Sequence, residues 1–225
     1  MIAGIALGLA FFAEGVDRSD PAALRQRAES FAGPIGIFGV IVGGVAVAVS
    51  ELSRRRRSDP AVRRAIGLRA AAPRFLVYGL ASGAAVAVAY MAAAITIWRP
   101  DTSVVAGPLG RMAMSGGWRQ LTWTVAGLAI SPPLEEFLFR GVLLAGFASA
   151  WGIGAAAVLS TLLFTALHVT ELSAYPPATF GIVSMSAVAI ALRVRTGSLA
   201  PPIAAHFGYN LALAALVATA QAWAR

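Results

Sequence analysis

Two adjacent glutamates, Glu135 and Glu136, followed four residues later by Arg140, stand in an otherwise apolar stretch of chain. The only two histidines, His168 and His206, each interrupt an otherwise uncharged window of 29 residues, 141–169 and 196–224, and Asn210 follows His206 by four positions. Spacing of four on a helix puts Glu136 and Arg140 on one face, acid toward the N-terminus, where they can pair. It puts His206 and Asn210 on one face as well. Glu135, turned about 100° from its neighbour on a helix of 3.6 residues per turn, is left without an obvious local partner. Amide hydrolysis needs a base for water, a proton carrier and donors for the developing oxyanion. A glutamate and a histidine can hold and deprotonate a water between them, and a histidine with an asparagine amide can donate to the tetrahedral oxygen. No cysteine and no Gly-x-Ser-x-Gly elbow competes for the role of nucleophile. A carboxylate and two histidines (Glu135, His168, His206) could also ligate zinc, but the His-Glu-x-x-His signature is absent and the ligands would come from three distant helices. We therefore expect no cofactor, zinc being the one ion such a set could take.

The elements that carry these residues follow from composition. Hydrophobic residues make up 58% of the 225 and charged residues only 12%, about half the charged share of a soluble domain. Uncharged windows at 30–50, 75–98 and 172–192 join the two that hold the histidines. A helix needs about 20 apolar residues to cross the hydrocarbon, and lipid forces backbone polar groups into helices or closed barrels. Windows this long are unlike the roughly 10-residue alternating strands of a barrel. The expected fold is an all-α, polytopic transmembrane bundle of about 7–8 spans, with seven read at roughly 2–14, 31–51, 74–98, 119–148, 152–170, 178–193 and 200–223. The first of these is short for a span and lacks the charged front end of a signal peptide. Every basic residue is an arginine, eight of them between 53 and 74. Short basic loops belong on the cytoplasmic side, which also places the N-terminus and Arg193/Arg195 inside. The net charge of +8 is therefore assigned to membrane orientation, with lipid as partner and no nucleic acid. Ser131-Pro132-Pro133 lies in the middle of the 119–148 segment, where proline removes a backbone donor; a kink or break is expected there. Small residues four apart, Gly4/Gly8, Gly39/Gly43 and Gly79/Gly83, suit close helix packing. In this topology His168 lies near the outer end of its span and His206 near the inner end of its own. The gap of about 15 Å across a roughly 30 Å core has to be closed by tilt, shorter spans or a broken helix.

Glu-Glu-x-x-x-Arg, Phe-x-x-x-His from Phe164 to His168, and His-x-x-x-Asn occur in that order within the spans. Together they resemble the three motifs of the CAAX prenyl protease and bacteriocin-processing family of intramembrane proteins. The likeness covers about 119–215, including Phe139-Arg140-Gly141 and Arg195-Thr196-Gly197-Ser198-Leu199. It divides the chain into N-terminal helices with a basic loop, 1–115, and a catalytic core, 116–225, within one membrane domain. The resemblance implies that Glu135 is the water-activating base assisted by His168, that Glu136, Arg140 and Phe164 shape the site, and that His206 and Asn210 stabilise the oxyanion. It implies an endopeptidase of a membrane protein or peptide in the cytoplasmic membrane. Although such proteins are traditionally named metalloproteases, the resemblance implies a glutamate-dependent mechanism. The arginine-only, alanine-rich composition argues against prenylated CAAX proteins as the native substrate. Two other readings use the same residues. One is a non-catalytic scaffold, immunity factor or transport subunit held together by the polar cluster. The other is a proton path, since intramembrane ionisable groups often mark one, though the set is compact rather than strung across the bilayer.

Overall fold

The computed structural model describes residues 39, 42–47, 49–50, 60–98 and 117–223. Among the described residues there are helices and no strands. The expected span at 2–14, Gly4 and Gly8, the 15–30 loop and nearly all of the 99–118 loop lie outside them. Residues 42–47 are helical, within the expected second span. Then come α1 (Pro60–Ala65), α2 (Pro73–Ala93), α3 (Gly117–Val125), α4 (Ser131–Glu136), α5 (Leu144–Leu167), α6 (Val169–Ala174), α7 (Ala178–Thr196) and α8 (Ala200–Trp223). Wider π-helical turns extend α2 through Ala94–Trp98 and join α3 to α4 (Ala126–Ile130) and α4 to α5 (Phe137–Leu143). Among the described residues three stretches are long and apolar enough to cross a membrane: Pro73–Trp98, Ala126–Leu167 and Ala178–Thr196. The chain is a multi-pass membrane protein.

The second stretch holds 42 residues, about 63 Å of helix at 1.5 Å per residue, twice the hydrocarbon thickness. Gly152 resolves the excess. Its φ of 80° and ψ of 166° interrupt α5, a left-handed backbone that costs glycine nothing sterically. Beyond it the chain folds back, so that Ser160 donates to the Phe139 carbonyl at 3.0 Å and the Phe164 ring packs edge-on against Phe139. In a straight helix those two phenylalanines would be about 37 Å apart. The returning arm, 153–167, is only about 22 Å long. This short arm brings His168 beside Phe164 and so near His206, the two imidazole centroids lying 4.9 Å and 5.8 Å from that of Phe164.

The remaining helices pack around the hairpin. Ala87 of α2, Met185 and Ala189 of α7, and Ala205 and Tyr209 of α8 form one buried cluster. A second joins Leu138, Phe139, Phe164 and Ile182. The α2 and α8 backbones touch: a methyl at Gly83 would collide with the Ala205 carbonyl and one at Gly79 with that of Pro201. The expected packing role of this pair is what the structure shows, whereas a methyl at Gly43 would meet nothing within 4 Å among the described residues. Part of the basic loop is structural too. Arg69 donates to the Thr196 carbonyl at the end of α7, Ser198 Oγ returns a bond to the Arg69 carbonyl at 2.6 Å, and Arg193 reaches Ala65 at 2.6 Å. Composition alone assigns these arginines to membrane orientation; buried carbonyls at helix ends need donors, and the arginines supply them.

Candidate active site

The glutamate pair sits on α4, a short α-helical piece between two π-turns. Pro132 and Pro133 have no N–H to donate to the preceding turn. The chain accommodates them without a break in the helix. It widens over Ala126–Ile130, where Ser131 N–H donates to Ala126 five residues back, and the two prolines fall in the first turn of the next α-helical piece, a position they tolerate. A π-turn is over-represented at functional sites because it re-aims the side chains around it.

Glu135, Glu136 and Arg140 are all buried, the last two completely. Arg140 Nη1 donates to Glu136 Oε1 at 3.1 Å, the pair expected from the i, i+4 spacing. His206 reaches the same oxygen from α8, its Nδ1 3.0 Å away, and its Nε2 lies 3.9 Å from Glu135 Oε2. One carboxylate therefore orients the ring and the other faces its far nitrogen. A carboxylate can only accept, so Nδ1 is the donor in this bond. Glu135 does have a local partner, contrary to the expectation from sequence: Ser131 Oγ, one turn earlier, donates to its Oε1. The spacing of four between Ser131 and Glu135 was the available signal. The Oε2 atoms of both glutamates, and Nε and Nη2 of Arg140, have no hydrogen-bond partner among the described residues.

His168 occupies a different setting. It caps α5, half-buried, with Nδ1 2.9 Å from the Phe164 carbonyl of its own helix. Phe164 connects the two imidazoles. Its ring centroid is 4.9 Å from that of His168 and 5.8 Å, edge-on, from that of His206. The Arg140 guanidinium lies 4.2 Å above the same ring, within cation–π range. Asn210 turns elsewhere: its Nδ2 donates to the Gly127 carbonyl at 2.8 Å. The structure thus brings Glu135, Glu136, Arg140 and His206 into one cluster, sets His168 beside it across Phe164, and bonds Asn210 to the turn that precedes the glutamates.

Among the described residues no group of three or more His, Asp or Glu is arranged to hold a metal ion. His206 Nδ1 is engaged by Glu136 and His168 Nδ1 by its own helix, which leaves Nε2 of each ring as its available ligand atom, and a guanidinium lies in the cluster.

All of these residues fall within 117–212, the stretch matched by a family model described as type II CAAX prenyl endopeptidase Rce1-like. Residues 117–212 are similar to that family. It is a protease family, and the match agrees with the resemblance carried by the three motifs. No curated protein and no solved structure matches the chain.

Proposed function

We propose that the protein is an intramembrane endopeptidase of CAAX-protease type in which Glu135 and His206 activate a water. The observation that carries this is the facing of Glu135 Oε2 and His206 Nε2 at 3.9 Å, both atoms within reach of one water placed about 2.8 Å from each. Water attacks the peptide carbonyl, a C–O bond forms, and the water proton passes to Glu135. Collapse of the tetrahedral intermediate breaks the C–N bond. The proton held by Glu135 goes to the departing nitrogen, leaving a carboxylic acid and an amine. His168, one ring away across Phe164, assists from the entry side, its Nε2 able to bond the substrate. Glu136 and Arg140 orient His206 and balance charge, which a buried ion requires. Asn210 holds the turn ahead of Glu135, and its second amide hydrogen is a donor suited to the oxyanion. The mechanism we propose needs no metal, so processing is expected to survive chelation.

The test works without a known substrate. Wild-type protein and Glu135→Gln, held at equal level in a host membrane, are compared by terminal-labelling mass spectrometry of the membrane fraction. New peptide termini are expected with the wild type alone. Identical termini in both, with both proteins folded, reject the reading and favour a scaffold whose polar cluster serves only to join helices.

A further inference from the structure

The two π-turns beside the glutamates leave a matching defect in the backbone. In an α-helix Leu144 N–H would donate to Arg140; here it donates to Phe139. Ser131 N–H would donate to Gly127; it donates to Ala126. The carbonyls of Arg140 and Gly127 have each lost their α-helical donor, and a buried carbonyl without one is costly. A side chain from another helix makes up each loss. Asn210 of α8 serves Gly127. Arg193 of α7 serves Arg140, with Nε 3.1 Å from the carbonyl oxygen.

We propose that Arg193 is a positioning residue, holding the Glu135–Arg140 turn in register by bonding the Arg140 carbonyl. Arg193 lies outside the three motifs and pairs with no carboxylate among the described residues. It is 8% exposed and its guanidinium is used twice, the second bond running from Nη2 to the Ala65 carbonyl at 2.6 Å. The fork therefore ties the helix that carries Glu136 to the C-terminal end of α1. Loss of the bond lets Arg140 shift along the helix and with it Glu136, which sets the His206 ring. Arg69 provides an internal contrast: it bonds the Thr196 carbonyl in the same loop layer and no bond joins it to the π-turn. This inference rests on the proposed peptidase for its kinetic readout and is independent of it for its spectroscopic one.

The experiment compares Arg193→Gln, Arg193→Lys and Arg69→Gln with wild type in detergent. The first readout is the hydrogen-bonded Nδ1–H resonance of His206, assigned with His206→Gln and followed in imidazole nitrogen-15 spectra. It is expected to shift or broaden in Arg193→Gln, to be partly restored in Arg193→Lys, which can serve one carbonyl, and to be unchanged in Arg69→Gln. The second is cleavage of a peptide spanning a site mapped with Glu135→Gln: kcat falls about tenfold in Arg193→Gln at near-constant KM, the pattern of a misplaced catalytic group. Thermal melting separates these effects from unfolding. An unmoved His206 resonance in folded Arg193→Gln, or equal shifts in the Arg69 and Arg193 variants, overturns the proposal. If the wild type cleaves nothing, the peptidase reading fails while the resonance still decides the role of Arg193.

Discussion

The two histidines are the same residue type in equally apolar surroundings, yet they are held in opposite ways. His206 is buried, bonded at Nδ1 to a carboxylate and faced at Nε2 by a second. His168 is half-buried at a helix end, and the partner of its Nδ1 is the Phe164 carbonyl one turn back. Charge surrounds the first, backbone and an aromatic ring the second. The difference separates a histidine built into an ionic network from one available to whatever enters beside it. Each is expected to fail differently when removed.

The largest effect belongs to His206→Ala. Loss of a positioned proton carrier costs about 10²–10⁴-fold in rate, and stripping a partner from the buried Glu136–Arg140 pair costs roughly 1–3 kcal/mol of stability. Processing of a mapped peptide and denaturant melts in detergent measure the two. His168→Ala is expected to slow processing by about 10²-fold, the low end of acid–base contributions. Its stability should change by less than about 1 kcal/mol, since one net hydrogen bond is lost. Equal destabilisation by the two alanines would erase the contrast.

How far the sequence foretells this arrangement depends on whether a contact is local. The pairing of Glu136 with Arg140 is written in the spacing of one helix. So is the bond from Ser131 to Glu135, which is easily missed because a serine draws less notice than a charge. The meeting of His206 with Glu136 spans 70 positions and has no local signature. Its plausibility comes only from the cost of ionisable groups in lipid. The helix ends at 178 and 200 are legible from charge and proline, and the reversal near 152 from a long apolar run that has to be divided. Concealed are the π-turns, of which only that at Ala126–Ile130 directly precedes Pro132 and Pro133. With them go the placement of Asn210 and the use of Arg193. Spacing puts Asn210 on the face of His206 and says nothing more, because an orphan carbonyl is a property of the folded backbone.

Asn210 sharpens the comparison because it shares α8 with His206. Asn210→Ala removes the donor to Gly127 and lowers stability by about 1 kcal/mol, the net worth of one hydrogen bond. Cleavage is expected to fall about tenfold as the Glu135 turn loosens. A loss of about 10²–10³-fold without destabilisation would instead be the mark of a dominant oxyanion donor. Kinetics and melting on the same preparation distinguish the two.

The smallest effect tests what Glu135 needs besides His206. Ser131 Oγ donates to Glu135 Oε1, which leaves Oε2 as the oxygen turned toward the imidazole. Without the hydroxyl the carboxyl group can rotate, and the population in the facing orientation falls by the net worth of one hydrogen bond. At about 0.5–1.5 kcal/mol in the transition state, Ser131→Ala should reduce kcat by roughly two- to tenfold. Ser131→Thr, which keeps the hydroxyl, should recover most of it. If alanine and threonine behave alike, Glu135 is oriented by His206 alone, and the asymmetry between the two histidines is larger still.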